Sequence, residues 1–239
     1  QGVSSAASDV YKRQNENFHI TGVQLQHFPR MIEALAQVKR AAARANHRLG
    51  ALDDERFAAI DRACEEIIAG ALHEHFIVDM IQGGAGTSTN MNANEVIANR
   101  ALEILGHEKG QYDRLHPNNH VNLGQSTNDV YPTAIRLTIM LSFPALAEAM
   151  DHLISTLRAK GEEFSSVLKM GRTQLQDAVP MTVGQEFHAW ATTIEEDVQR
   201  LTRTATLFQE INLGATAIGT GITSDPVSYT HLTLPTILL

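Results

Sequence analysis

The chain has 239 residues, 43% of them hydrophobic, so it can bury a sizeable core in one or two domains. Its formal net charge of -8 at pH 7 argues against nucleic acid as a partner, because phosphate binding requires a basic surface. The single cysteine excludes an internal disulfide and fits a cytoplasmic location, and no apolar run approaches the roughly 20 residues that cross a membrane.

Two amphipathic helices are predicted near the start of the chain. Apolar residues recur at spacings of three and four from Pro29 to Leu49, with Gly50 suited to a C-terminal cap. The second helix follows Asp53, a suitable N-cap, and carries Cys64 on its apolar stripe. We therefore predict an antiparallel helix pair in which Cys64 is a core residue rather than a reactive thiol.

A glycine-rich loop, Gly83–Ser88, follows Phe76–Ile81, which is either a short strand or a buried extended segment. The loop does not fit the dinucleotide-binding pattern and lacks the lysine of a phosphate loop, so its glycines indicate close approach to something small. The next helix is predicted to end at Gly106 and carries four asparagines: Asn90, Asn92, Asn94 and Asn99. Because Asn90 and Asn94 share a helix face, one interpretation is a hydrogen-bond network that only pins that helix.

Two histidine pairs suggest a metal at first sight. They are His73 with His75 and His116 with His120, the second pair within a predicted loop from 110 to 122. Neither pair has cysteine or carboxylate partners at the spacing of a zinc site. We therefore predict surface or hydrogen-bonded histidines and no metal site.

The polar stretch Gly124–Asp129 precedes a long apolar run. One interpretation is a helix N-terminal cap, with Ser126 and Asp129 forming a capping box. The alternative is an anion site, because hydroxyls, an amide and free backbone N–H groups converge where the helix dipole favours negative charge. Both interpretations remain open from these residues alone.

The run from Val130 to about Leu157 is apolar nearly all round, which predicts a helix buried on every side. Pro144 should kink or break this helix, and Gly161 should end it. The segment 169–177 is predicted to be a polar loop.

The last helix begins at a capping box formed by Thr182 and Gln185 and runs to about Ile211. A helix of this length, roughly 45 Å at 1.5 Å per residue, indicates a helical bundle and an oligomer.

Three polar loops, each beside a long helix, give the chain a resemblance to a known family. They are Gly83–Asn92, Gln125–Asp129 and Gly171–Asp177, and His116-Pro117-Asn118 stands in the expected place between the first two. In this order they resemble the aspartase/class II fumarase superfamily from about Glu16 to Ile222.

The resemblance implies an all-α fold. It places an N-terminal helical domain at 15–124 and the first long helices of a central helical bundle at 125–222. It also implies a homotetramer whose active sites are assembled from several subunits.

Within the superfamily the chain looks most like the aspartases, which eliminate ammonia from L-aspartate to give fumarate. Gln174 favours this branch, because fumarases usually carry histidine at the matching position, and Glu16-Asn17-Phe18 and Lys169-Met170-Gly171 are also aspartase-like. The alternative is a class II fumarase, which adds water to fumarate to give L-malate. A further alternative, from a different class, is a non-catalytic helical scaffold whose loops only cap and pin helices.

The chemistry explains the residue types that the resemblance selects. Removing a proton beside the β-carboxylate of aspartate creates a doubly charged intermediate, which requires preorganised donors. By resemblance, six residues bind substrate: Thr87, Ser126, Thr127, Asn128, Thr173 and Gln174. Thr127 and Gln174 are also implied to be catalytic, and Gln174 lies near the amino group. His116, Asn118 and Asn119 match a possible second anion site. No cofactor is implied, although Mg²⁺ activates some aspartases.

The chain departs from the family in three places. The family's general base is a serine on a loop Gly-Ser-Ser-Ile-Met-Pro-x-Lys-Val-Asn-Pro, and the 239 residues contain no such stretch. Residues 1–14 and 223–239 look non-native. We therefore interpret the chain as an internal piece of an aspartase, inactive alone because general acid–base help is typically worth roughly 10²- to 10⁴-fold. We also expect an apolar helix face to be exposed.

Overall fold

The computed structural model describes residues 20–81, 86–222 and 224–225, and these are mainly helical, which confirms the predicted fold class. The N-terminal flank 1–14, the stretch Glu16-Asn17-Phe18, most of the C-terminal flank 223–239 and residues 83–85 of the glycine-rich loop lie outside the described residues. The chain forms two compact units, one from residues up to Leu141 together with those from Gln209 onwards, the other Ser142–Phe208.

The first unit opens with the predicted antiparallel pair, α1 (Pro29–Arg48) and α2 (Asp54–Ile68). Both predicted caps are confirmed: Gly50 has φ +71°, and the Asp53 carboxylate accepts the Arg56 N–H at 2.9 Å. Apolar side chains that lie between the helices are fully buried, and Cys64 is among them: Ile32, Leu35, Val38, Ile60, Cys64 and Ile67. Burial raises the pKa of the Cys64 thiol to about 12, so the prediction of an inert core cysteine is confirmed.

The segment Phe76–Ile81 is not a multi-residue strand, because it makes only an isolated bridge between Gln24 and Asp79 and bends at Val78, Met80 and Ile81. Phe76 and Val78 are buried, and the Leu25 N–H donates to the Val78 carbonyl at 2.9 Å. The next helix, α3 (Thr87–Ile104), packs against α2 and stops before Gly106, as predicted.

The predicted loop at 110–122 is wrong in its second half, because Pro117–Val121 forms a π-helical turn. Pro117 suits the first turn, since its missing N–H would have no partner there. The His116 side chain caps the turn by accepting the N–H groups of Asn118 and Asn119. A side-chain cap supplied by histidine is not a signal that sequence patterns reveal.

Helix α4 (Thr127–Glu163) continues past Pro144, so the predicted break there is wrong, and it ends two residues after Gly161, the predicted end. A proline removes one backbone hydrogen bond, and the remaining bonds of a 37-residue helix hold it together. Gly161 also serves packing. A Cβ added there would lie 2.6 Å from the ring of His188, so glycine allows α5 (Val183–Ala205) to approach closely.

The prediction that α4 is buried on every side is also wrong. At 100° per residue one stripe runs along the helix with 39–51% of each side chain exposed: Ile135, Ile139, Leu146 and Leu153. This confirms the expected exposed apolar face.

A window of 18 residues within α4 has a mean hydropathy of 1.3 and is only 22% buried, so the expectation that no apolar run is long enough to cross a membrane is wrong. The core helix of a soluble bundle has the same composition, which makes this weak evidence for a membrane.

The second unit contains a β-hairpin where a polar loop was predicted. Strands β1 (Leu168–Thr173) and β2 (Gln176–Thr182) pair antiparallel, with Thr173 opposite Gln176. Gln174 and Leu175 form the two-residue turn with φ of +51° and +64°, values that match the twist of a tight hairpin. The strands are mostly exposed, so no alternation of apolar residues marks them in the sequence.

Helix α5 begins as predicted, with the capping box of Thr182 and Gln185 complete. It ends at Ala205 rather than near Ile211, because the chain tightens into a 3₁₀ turn at Thr206–Gln209.

Candidate active site

Ser126 and Asp129 form a box of hydrogen bonds that caps the start of α4, so the interpretation as a helix N-terminal cap is confirmed. It differs from the predicted capping box, because the Ser126 hydroxyl accepts the N–H of Asn128 and not that of Asp129. The Ser126 N–H donates to the Asp129 carboxylate at 3.0 Å, and the Ser126 hydroxyl oxygen accepts the Asn128 N–H at 3.2 Å. Thr127, the first residue of the helix, is half-buried beside this box. The box satisfies two of the free backbone N–H groups at the start of α4, those of Ser126 and Asn128. It leaves the hydroxyl hydrogens of Ser126 and Thr127 available as donors.

Asp129 joins the box to a distant part of the first unit. Its second carboxylate oxygen accepts the N–H groups of Gly214 and Thr216 at 3.1 and 2.8 Å. The Asn128 side chain donates to the Ala217 carbonyl at 2.8 Å. Burial raises the pKa of Asp129, while the backbone N–H groups act in the opposite direction.

A buried polar cluster lies behind the same stretch. The Lys39 ammonium donates to Asn122 Oδ1 at 2.8 Å and to Gln125 Oε1 at 3.0 Å. The side-chain amides of Asn90 and Asn94 also donate to Asn122 Oδ1, at 3.3 and 3.2 Å. The predicted network that pins α3 is thereby confirmed.

Sequence reasoning missed two residues of this cluster, Asn122 and Lys39. Lys39 is fully buried, and burial lowers the pKa of its ammonium to about 7 although Asp129 acts to raise it. The sequence does indicate that Lys39 is buried, because it stands four residues after Leu35 and three before Ala42, both on the apolar stripe of α1. Lysine is almost never buried without a partner, so this position marks a special environment.

The first turns of α3 and α4 meet through Asn90, which donates to the Thr127 hydroxyl oxygen at 3.0 Å. Gly86 precedes α3 with φ +83°, and a Cβ there would lie 2.5 Å from the ring of Tyr131 in α4. Glycine at this position therefore permits the close approach of the two helix starts. Thr87, the first residue of α3, is exposed beside them.

The structure places the remaining predicted substrate-binding residues in the second unit. Thr173 ends β1, and Gln174 forms the hairpin turn with its side chain exposed. Thr87, Ser126, Thr127 and Asn128 all belong to the first unit.

The possible second anion site has some of its donors already engaged. The N–H groups of Asn118 and Asn119 donate to His116 Nδ1 at 3.0 and 3.3 Å, and the His116 N–H donates to His120 Nδ1 at 2.7 Å. Burial lowers the pKa of His120. His73 Nε2 lies 2.9 Å from the Ile67 carbonyl, so the prediction of hydrogen-bonded histidines is confirmed for His73, His116 and His120, whereas Nδ1 of His75 is buried without a hydrogen-bond partner in the described part of the chain. Among residues 20–81, 86–222 and 224–225, no cluster of three or more His, Cys, Asp or Glu side chains is arranged for a metal.

Comparisons with known proteins identify the family of the chain. The lyase family Lyase_1 matches residues 3–236. Aspartate ammonia-lyase from Pseudomonas aeruginosa is 64% identical over 211 residues, which cover 88% of this chain and 44% of that protein.

Two solved structures share the fold. Fumarate lyase:delta crystallin from Brucella melitensis bound to cobalt matches with a TM-score of 0.93 and 53% identity, covering 97% of this chain and 50% of that one. Class II fumarase from Schistosoma mansoni matches with a TM-score of 0.84 and 36% identity, covering 92% and 46%.

The chain spans about half the length of the curated relatives it matches. The family match covers nearly all of its 239 residues, and the helical architecture agrees with that of both solved structures. Together with the paired helix starts and their neutral donors, these findings show that the chain belongs to the Lyase_1 family of lyases.

Proposed function

We propose that the protein to which this sequence belongs is a carbon–nitrogen lyase that reversibly eliminates ammonia from L-aspartate to give fumarate. The observation that carries the proposal is the meeting of the α3 and α4 helix starts at the Asn90–Thr127 hydrogen bond. Neutral donors gather there, at helix ends that favour negative charge. The 64% identity to a relative named aspartate ammonia-lyase supports the same substrate.

In this reaction a base removes a proton from the carbon beside the β-carboxylate. The electron pair of that C–H bond spreads into the carboxylate and then forms the new double bond. The C–N bond breaks, and its electron pair leaves with the nitrogen as ammonia. The chain's part is to hold the carboxylates and stabilise the added negative charge with donors that do not titrate.

The proposed roles follow the predicted residues. Substrate carboxylates are bound by five side chains: Thr87, Ser126, Thr127, Asn128 and Thr173. Gln174 lies near the amino group and, with Thr127, takes part in the chemical steps. The meeting of the α3 and α4 helix starts supports the proposed role of Thr127 in binding substrate. Its hydroxyl hydrogen is a donor at the N-terminal end of α4, where the helix dipole favours an anion. His116, Asn118 and Asn119 are proposed as a second anion site, reached through groups other than the two engaged N–H groups.

The proposed assembly is a homotetramer that acts on a small dicarboxylate. The exposed apolar stripe of α4 supports it, because a contiguous stripe of this kind is normally buried against other helices. The proposed reaction needs no metal or other cofactor, and activation of the parent enzyme by Mg²⁺ stays a prediction.

The second candidate is a class II fumarase, favoured by the match to the Schistosoma mansoni structure. The two reactions share the same charged intermediate and differ in the group that leaves, nitrogen or oxygen. The residue that separates them is Gln174, so Gln174→His probes the choice.

A chimera tests the proposal directly. Residues 20–222 replace the matching segment of the Pseudomonas aeruginosa relative, and ultraviolet absorbance follows fumarate formed from L-aspartate and, separately, from L-malate. We expect product from aspartate alone. Product from malate alone would overturn the proposal in favour of the fumarase, and a correctly assembled but inactive chimera would favour the non-catalytic scaffold. The chain by itself, which lacks the serine loop, is expected to form no product.

A further inference from the structure

We propose that Lys39 is a positioning residue that, through Asn122 and Asn90, fixes the Thr127 hydroxyl as a hydrogen-bond donor toward a substrate carboxylate. The inference rests on the proposed function, because it concerns the same dicarboxylate site. Its physical basis is a continuous chain of hydrogen bonds from a fully buried ammonium to the first residue of α4.

The first link fixes the orientation of Asn122. An ammonium has three donors and no acceptor, so Lys39 requires Asn122 to present its side-chain oxygen, at 2.8 Å. The Asn122 NH₂ group then points away and donates to the Gln125 carbonyl at 3.2 Å. The choice between oxygen and nitrogen, which is ordinarily ambiguous for asparagine, is therefore set by Lys39.

The second link fixes Asn90 in the same way. Because Asn122 offers an oxygen, Asn90 must offer its NH₂ group, which donates to Asn122 Oδ1 at 3.3 Å. The other hydrogen of that NH₂ group is directed to the Thr127 hydroxyl oxygen at 3.0 Å. Asn90 itself is almost completely buried, so water does not compete for these bonds.

The third link sets the direction of the Thr127 hydroxyl. Its oxygen already accepts from Asn90, so its own hydrogen must point to a different acceptor. Other threonines of α4 satisfy this hydrogen internally: Thr133 and Thr138 donate to the carbonyl four residues earlier, both at 2.7 Å. Thr127 is the first helical residue and has no such carbonyl in its own helix. Its hydrogen is left to donate outward, where an anionic substrate would lie.

The burial of Lys39 supports a role beyond folding. An ammonium that leaves water loses a large solvation energy, and the two direct partners of Lys39 are neutral amide oxygens. Apolar side chains of similar volume usually stabilise such a position as well or better. A lysine has an effect that apolar side chains cannot have. Because it presents donors only, it fixes the donor-to-acceptor direction of the hydrogen bonds through Asn122 and Asn90.

A double-mutant cycle in the chimera described above, which supplies the segments that this chain lacks, tests the inference. The variants are Lys39→Met, Thr127→Val and their combination, and calorimetry at pH 6 measures the Kd for succinate, a dicarboxylate without an amino group. We expect Lys39→Met to weaken succinate binding about tenfold, the loss of one well-placed hydrogen bond. In the Thr127→Val background the same change should weaken it less than about twofold, because the hydroxyl is already absent.

Equal losses in both backgrounds would overturn the inference, since they would show that Lys39 acts through general structure and not through Thr127. If Lys39→Met does not fold, Asn90→Asp enters the same cycle, because a carboxylate would accept the Thr127 hydrogen and reverse the last bond. Asn99→Asp is the matched control: it is buried on the same helix but bonds to Tyr112 and Gly110, so succinate binding should be unchanged. A chimera that forms no fumarate from aspartate and binds no succinate at millimolar concentration would instead contradict the proposed function, and the inference with it.

Discussion

At the scale of single residues, Lys39 makes folding stability depend on pH. Burial lowers the pKa of its ammonium from 10.5 to about 7, so between these values the unfolded chain binds more protons than the folded chain. The cost of burying the charge is complete below pH 7 and is relieved as the pH rises toward 10.5. Asp129 is the charged group that acts on Lys39 in this window, since the Cys64 thiol is neutral below its pKa of about 12, and Asp129 raises the pKa of Lys39 without removing the window.

We therefore expect the free energy of unfolding of the wild-type chain to rise between pH 7 and 9 relative to that of Lys39→Met. The slope of the difference should approach about 1.4 kcal/mol per pH unit. Urea denaturation at pH 7, 8 and 9 measures it for both proteins. Parallel pH profiles would show that Lys39 keeps an ordinary pKa in the folded chain.

Asp129 supports a second prediction at this scale. Its two oxygens serve different partners, Ser126 on one side and Gly214 with Thr216 on the other. Asp129→Asn leaves one oxygen for both sides, so buried N–H groups lose an acceptor and stability should fall by roughly 1–3 kcal/mol. Asp151→Asn, on the exposed part of α4, is the control and should change stability by less than about 0.5 kcal/mol. Urea denaturation of both variants provides the comparison.

At the scale of elements, Gly184 and Gly161 set how closely α5 and α4 approach within the second unit. A Cβ at Gly184 would lie 2.3 Å from the backbone carbonyl oxygen of Gly161, whereas one at Gly161 would meet the side chain of His188 at 2.6 Å. Backbone cannot move aside as a histidine ring can. Gly184→Ala should therefore destabilise by roughly 1–3 kcal/mol, and Gly161→Ala by less, since alanine also favours the helix. Thermal melts of the two variants rank them, and equal losses would contradict this packing argument.

The sequence predicts elements whose signals are local. Proline, aspartate and glycine at the ends of α1 and α2 determine those boundaries through hydrogen bonds within a few residues. The hairpin after α4 has no comparable signal, because its exposed strands are polar and a positive φ at Gln174 is not encoded by a glycine. Pro144 illustrates the opposite error: a strong local breaker lies inside a helix whose other bonds outweigh it.

In the candidate site, too, the sequence predicts the residues that belong to local patterns and not the partnerships between distant residues. Ser126, Thr127 and Asn128 are recognisable from their motif, and Asn90 and Asn94 from their shared helix face. The partnership of Lys39 with Asn122 joins residues 83 positions apart, so no local pattern shows it. Only the apolar stripe of α1 hints that a lysine is buried there.

At the scale of the whole molecule, the apolar stripe of α4 determines how the chain behaves in solution. Leu146 and Leu153 stand seven residues apart on this stripe and are 51% and 46% exposed. Exposed apolar residues in a continuous stripe favour association, by roughly 25 cal/mol for each Å² that is removed from water. A second copy of the chain offers the same stripe and is the partner that is always present. A lipid surface would attract the same residues, so the two occupants must be separated by experiment.

We expect the wild-type chain to sediment as an oligomer, and the double variant Leu146→Gln with Leu153→Gln to shift toward the monomer. Leu175→Gln is the matched control, because that side chain is 99% exposed at the hairpin turn but lies off the stripe, and it should leave the oligomer intact. Sedimentation velocity measures the shift, and flotation with lipid vesicles tests the membrane. A wild-type chain that is monomeric with a sharp melting transition would contradict association. Co-flotation that the two glutamines abolish would assign the stripe to lipid, since the substitutions remove apolar surface from α4 and leave its charges unchanged.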